Sequence, residues 1–281
     1  MKTSLISAER LKKEVKTTDF LIFDASWYMP TEKRDTRAEY LCGHLPGAKF
    51  FDIDGLSSHP NELPHMLAEK GSFEKQLRTL GLKQGQTVVV YDTAGIFSAP
   101  RAWWMLKVFG ISDVRVLDGG LPAWVATGEE LEVGLQPVVE GDVSLISPGR
   151  EVSGVDAILH NIKYGDRQII DARGAARFTG EEADPRAGVS PGHIPGSINL
   201  PFAKLLTQTG HLRQESELRE AFSVVGIDLS RPLTASCGSG VTAAILILAL
   251  TQLGHNDLNL YDGSWAEWGA LPHTEKAQGP A

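Results

Sequence analysis

A chain of 281 residues exceeds one average domain and suits two. Its 42% apolar and 22% charged residues are the balance of a soluble globular protein, and a formal charge of −8 supplies no basic face for nucleic acid. The longest apolar run, 243–250, is far short of the ~20 residues of a membrane-spanning helix. The opening residues lack the apolar core of an export signal, and two cysteines make no disulfide framework. A cytoplasmic protein with neither nucleic-acid nor membrane partner is therefore expected. Neither cysteine lies in a Cys-x-x-Cys pair, and His59 and His65 lack partners at ligand spacing, so no metal is expected.

In chain order, Phe20-Leu-Ile-Phe-Asp24 reads as a short buried strand ending in an acid, and the turn Gly43-His-Leu-Pro-Gly47 follows. An amphipathic helix is predicted over 72–80, then a second buried strand over 87–91 that reaches Asp92. A helix and a last strand ending in Asp118-Gly119 close the series. The series then repeats. Gln168-Ile-Ile-Asp171, Gly192-His-Ile-Pro-Gly196, a helix over 215–225, a strand reaching Cys237, and Asp262-Gly263 keep the same order. Trp124 and Trp268 follow their Asp-Gly pairs at matching distances. The spacing stays near roughly 147 residues, which means tandem domains, because solenoid repeats are far shorter.

Strands alternating with helices predict an α/β fold of two tandem domains, each a parallel sheet flanked by helices. The domains are placed at 1–135 and 152–281, with 136–151 as linker. His44 and His193 recur in both halves and are read as turn and packing residues. Cys42 is read as a structural, inert thiol.

Cys237 stands between a strand end and the apolar run 241–253, a buried helix by composition. A thiol there faces unpaired helix N–H groups and the positive end of the dipole, which favour anionic sulfur. Gly238 and Gly240 let the loop curl its amides inward, with Val241 and Thr242 completing an anion nest. A buried cysteine at a strand end is the alternative reading. Asp92 takes the place of Cys237 in the first half and performs no sulfur chemistry, so that half is expected to be catalytically silent.

These tandem halves resemble the two-domain rhodanese superfamily over nearly the whole chain. The loop Cys237-Gly-Ser-Gly-Val-Thr242 is similar to that of its 3-mercaptopyruvate sulfurtransferase branch. The resemblance implies that Cys237 accepts a sulfur atom as a persulfide and that no cofactor is needed. It also implies a thiol, a thioredoxin-like protein or cyanide as acceptor. The thiosulfate-using branch carries Arg and Lys directly after the cysteine, where this chain has Gly238 and Ser239. By the same resemblance Arg177 and Arg186 hold the donor's carboxylate, a role suited to a guanidinium fork. Arg173, two residues after Asp171, is read as a structural ion pair. Ser239, His65 and Asp54 match a proton relay in which His65 orients the serine and Asp54 fixes its tautomer. On its own, His65 would be an ordinary loop histidine.

Three other readings stand beside this one. A thiosulfate sulfurtransferase differs only in donor. A cysteine phosphatase needs Cys-x5-Arg, but the sixth residue after Cys237 is Ala243. A non-catalytic rhodanese-type binding protein would be expected to lack the thiol.

Overall fold

The computed structural model describes residues 4–280. They form two compact units: 4–57, Ala68–Pro148 and Gln208–Leu212 make the first, and Ser58–Leu67, Gly149–Thr207 and 213–280 the second. Each unit therefore includes a short arm from the other half of the sequence. Among the described residues no helix is long and apolar enough to cross a membrane.

The first unit contains β1 (Leu5–Ile6), α1 (Ala8–Glu14), β2 (Phe20–Asp24), α2 (Thr36–Cys42), β3 (Lys49–Phe50), α3 (Lys70–Thr79), β4 (Thr87–Tyr91), α4 (Ala99–Val108), β5 (Val114–Leu117) and α5 (Gly120–Ala126). The second contains β6 (Val152–Ser153), α6 (Val155–Tyr164), β7 (Gln168–Asp171), α7 (Ala175–Thr179), β8 (Ser197–Asn199), α8 (Glu215–Val224), β9 (Leu233–Ser236), α9 (Ala243–Gln252), β10 (Leu258–Tyr261) and α10 (Ser264–Trp268). The strand orders are β1-β5-β4-β2-β3 and β6-β10-β9-β7-β8, and every pairing within them is parallel. One topology has been used twice.

Parallel sheets covered on both faces need strands that are apolar throughout. Val88, Val89, Val90 and Tyr91 of β4 are wholly buried, as is Leu233 of β9. Helix α9 continues that logic, since Ala243 to Leu250 are all buried. Burying each Leu or Ile there stabilises the fold by about 1.5–3 kcal/mol. Helices α3 and α8 bury only one face, through Phe73 and Leu77 and through Leu218 and Phe222. Their starts are set by side chains: Glu69 caps α3 by accepting the Ser72 N–H at 3.0 Å, and Gln214 with Glu217 forms a capping box on α8.

In each sheet the chain leaves the second strand to one side and returns to its other side. The crossing point lies between β2 and β4 in the first unit, and between β7 and β9 in the second. Such switch points open a crevice at the carboxyl ends of the strands. Asp92 follows β4 there, and Cys237 follows β9.

Between residues 136 and 149 the chain has no regular structure, yet much of it is held. Val143 is buried and donates its N–H to Leu82 O at 3.2 Å, while Ile146 donates to Phe109 O at 3.0 Å. His44 and His193 each pin a later segment of their own unit. His44 exchanges backbone hydrogen bonds with Glu132, and His193 does so with Ala277. The turn-and-packing reading of both histidines agrees with this. Cys42 differs from expectation, because it is exposed as the last residue of α2.

Candidate active site

The loop after β9 is fixed from below. Cys237 donates its N–H to Ser264 Oγ at 3.2 Å, and its carbonyl accepts from the Trp265 N–H at 3.0 Å. The Gly238 carbonyl accepts from the Ala266 N–H at 2.8 Å. These bonds tie the loop to the start of α10, where Ser264 holds a left-handed φ of 49°. Strain of this kind in a non-glycine residue persists only where surrounding contacts enforce it, and it gathers at working sites.

The Cys237 side chain is about as buried as the core, at 1% exposure for the residue. Gly240 turns through a φ of 80° and directs its N–H to Cys237 Sγ at 3.1 Å. Only glycine takes that conformation without strain. Val241 is buried, and Thr242 stands at the N-cap of α9 without a side-chain capping bond. Of the first amides of α9, those of Ala244 and Ile245 already donate to Val241 O and Thr242 O, so the Gly240 N–H is the amide directed at the sulfur.

The same position in the first unit is already filled. Asp92 accepts N–H bonds from Ala94 at 3.0 Å, Phe97 at 2.8 Å, Ser98 at 3.0 Å and Ala99 at 2.8 Å. Its carboxylate caps α4 and occupies the nest. Burial pushes the Asp92 carboxyl upward against the pull of these four donors.

Arg177 of α7 and Arg186 of the following loop both reach the cysteine loop. A carbon built at the Cβ position of Gly238 would meet Arg177 Nη2 at 3.4 Å and Arg186 Nη1 at 3.5 Å. Asp184, which sequence reasoning missed, joins the two arginines through its carboxylate. Its only sequence signal is the Asp-Pro-Arg run, an acid two residues before Arg186 that accepts the Arg186 N–H at 3.0 Å. Arg173 pairs instead with Asp171, at 2.6 Å from Nη2 to Oδ2, and lies over the Trp265 ring. That agrees with the structural role expected of it.

His65 belongs to the arm Ser58–Leu67 and is buried at 3% exposure. Its Nδ1 lies 2.9 Å from Ser239 Oγ, with the backbone held at a left-handed φ of 58°. The arm is closed by Ser58 donating to Met66 O at 2.8 Å and by Leu67 donating to Asp262 Oδ2 at 2.7 Å. The second unit thus gathers Cys237, Gly238, Ser239, Gly240, Arg177, Arg186 and His65. Asp54 belongs to the first unit, where Oδ2 accepts from Trp27 Nε1 at 3.1 Å.

A duplicated parallel α/β fold, with one copy presenting a buried thiol to amides and guanidinium groups at its switch point, defines a protein built for an anionic, sulfur-bearing ligand. The Rhodanese-like domain family matches residues 7–127 and again 155–271, and the chain belongs to that family. It is similar to the 3-mercaptopyruvate sulfurtransferase of Escherichia coli (strain K12), with 42% identity over 269 residues and 95% of each chain covered. It is 41% identical over 293 residues to Thiosulfate/3-mercaptopyruvate sulfurtransferase 1, mitochondrial, of Arabidopsis thaliana, covering 95% of this chain and 76% of that one. Among solved structures it resembles SseA from Escherichia coli, a 3-mercaptopyruvate sulfotransferase. The TM-score is 0.86 at 41% identity, covering 94% of this chain and 99% of that one.

Proposed function

We propose that this protein is a 3-mercaptopyruvate sulfurtransferase that carries sulfur on Cys237 and releases pyruvate. The observation that supports the choice of donor is the uncharged pair Gly238 and Ser239 after the thiol, with Arg177 and Arg186 against the same loop. Thiosulfate is a dianion with an anionic leaving group and gains from cations beside the sulfur. Mercaptopyruvate carries one carboxylate and needs a clamp for it, together with a proton source near the reacting bond.

In this reading the Cys237 thiolate attacks the donor sulfur, the C–S bond breaks, and its electron pair leaves as pyruvate enolate. A proton delivered through Ser239, hydrogen-bonded to His65, converts the enolate to pyruvate. The Gly240 N–H, which donates to Cys237 Sγ, stabilises that sulfur whenever it carries negative charge, before attack and as the leaving thiolate. An acceptor thiolate, a thioredoxin-like dithiol or cyanide then attacks the outer sulfur of the persulfide, and Cys237 leaves as thiolate. Two half-reactions joined by a covalent intermediate give ping-pong kinetics. The chemistry needs no cofactor, and both cysteines are free thiols, which suits a reducing, cytoplasmic setting.

Thiosulfate as donor is the second reading, favoured by the name of the Arabidopsis thaliana relative. A side-by-side assay of both donors, with cyanide and dithiothreitol as acceptors, separates the two. Mercaptopyruvate is expected to give the higher kcat/KM; the reverse order overturns the assignment.

A further inference from the structure

The two arginines beside the cysteine loop share one carboxylate. The Asp184 side chain is 1% exposed; its Oδ2 accepts from Arg177 Nη2 at 2.5 Å and its Oδ1 from Arg186 Nη1 at 3.2 Å. The Arg186 backbone N–H, at 3.0 Å to Oδ1, is a third donor to the carboxylate. We propose that Asp184 determines donor specificity: it sets the charge of the arginine pair to one net positive unit, which matches a monoanionic sulfur donor and disfavours a dianionic one. The proposal rests on the assignment of Arg177 and Arg186 as the donor clamp.

Two guanidinium groups bring two positive charges, and Asp184 cancels one of them. A monocarboxylate arriving at the clamp makes the group neutral. A dianion leaves an uncompensated negative charge among side chains only 19% and 25% exposed, where screening by water is weak. The charge is set close to the reacting sulfur, since the nitrogens bound to Asp184 are the same ones that border Gly238. Arg177 Nε is buried without a hydrogen-bond partner, which leaves a donor for an incoming anion even while Asp184 holds Nη2. The Asp-Pro-Arg turn fixes the acid in place, so the charge balance is part of the loop's geometry.

The test compares Asp184→Asn and Asp184→Glu with the unmodified protein, using mercaptopyruvate and thiosulfate as donors and cyanide as acceptor. Asparagine keeps size and an acceptor oxygen while removing the charge. Asp184→Asn is expected to move the kcat/KM ratio towards thiosulfate by ~10-fold or more, equivalent to about 1.4 kcal/mol. Asp184→Glu, which keeps the charge, should hold the original ratio. An equal fall for both donors in Asp184→Asn, with circular dichroism unchanged, would make Asp184 a strut and overturn the proposal. Competition measured on the unmodified protein does not depend on the variants folding. Pyruvate, a monoanion, should inhibit mercaptopyruvate use more strongly than sulfate does, and sulfate inhibiting as well or better would also overturn it. An unmodified protein that transfers sulfur from neither donor would instead refute the functional assignment beneath it.

Discussion

Leu67 gives its backbone N–H to Asp262 Oδ2 at 2.7 Å, and Leu212 gives its own to Asp118 Oδ1 at 2.9 Å. Asp262 and Asp118 are matched residues of the repeated Asp-Gly pairs. Each unit therefore seats an arm from the other half of the sequence on the acid that follows its last strand, β5 or β10. In the second unit the seated arm carries His65 to Ser239. In the first it carries His211, which packs so closely on Gly119 that a Cβ there would lie 2.4 Å from His211 Nε2.

Asp262→Ala is expected to reduce turnover with mercaptopyruvate while the sheet stays folded. It leaves the Leu67 N–H without its charged acceptor, a loss on the order of 1.5–3 kcal/mol, and frees His65 from its register with Ser239. Asp118→Ala should cost comparable stability in urea and spare turnover. Wild-type turnover in Asp262→Ala would break the link between the arm and the site.

Cys237→Ser is expected to abolish sulfur transfer with the fold intact, because a hydroxyl forms no persulfide. Cys42→Ser should keep most activity. Intact-mass spectrometry after donor treatment should find a single added sulfur atom, on Cys237. Sulfur on Cys42 alone would reassign the site.

The two loop glycines should respond differently to alanine. At Gly238 the added carbon meets guanidinium nitrogens only at ordinary contact distance, so Gly238→Ala should fold normally and retain activity. Gly240 holds a φ of 80°, and alanine there is strained by roughly 1–3 kcal/mol and turns the N–H away from Cys237 Sγ. Donor kcat/KM should fall much further in Gly240→Ala. Equal behaviour of the two variants would mean that the amide of Gly240 does not hold the sulfur.

Acid should weaken the first unit through His44. Burial holds its imidazole below the ordinary value of 6.5, outweighing the nearby Glu132, and Nε2 has no hydrogen-bond partner for a second proton. The unfolded chain therefore binds this proton more readily than the folded one. His44 contributes stability above the unfolded pKa, and that contribution shrinks as pH falls below 6.5 towards the folded value. Urea midpoints taken from pH 7 to pH 5, a window spanning the ordinary histidine pKa of about 6.5, should drop more steeply for the unmodified protein than for His44→Gln. Parallel slopes would exclude His44 as the titrating group.

Long elements were readable because their signals are local. The helix expected over 72–80 is Lys70–Thr79, and that over 215–225 is Glu215–Val224; in each, side-chain caps and one apolar face mark the ends. The two-residue strands β1, β3 and β6 are too short to show a period, and they exist only through pairing with distant neighbours. Cys237, Arg177 and Arg186 were visible through a repeat that changes chemistry at one position and through family resemblance. Asp184 was not, because an acid in an irregular loop shows nothing of its partners until the chain brings two arginines to it. The arms Ser58–Leu67 and Gln208–Leu212 were equally hidden, since their docking is wholly non-local.

Asp92 also bears on how the two copies diverged. A ligand that is part of the chain has a fixed, very high effective concentration and never dissociates, so the first copy's loop is permanently saturated. Its amides are satisfied from the moment of folding, and that copy pays no penalty for an empty receptor. The second copy lacks this internal occupant, and its loop is open to traffic. One side chain just after β4 or β9 therefore separates a closed structural partner from an exchangeable port, while the topology around both stays the same.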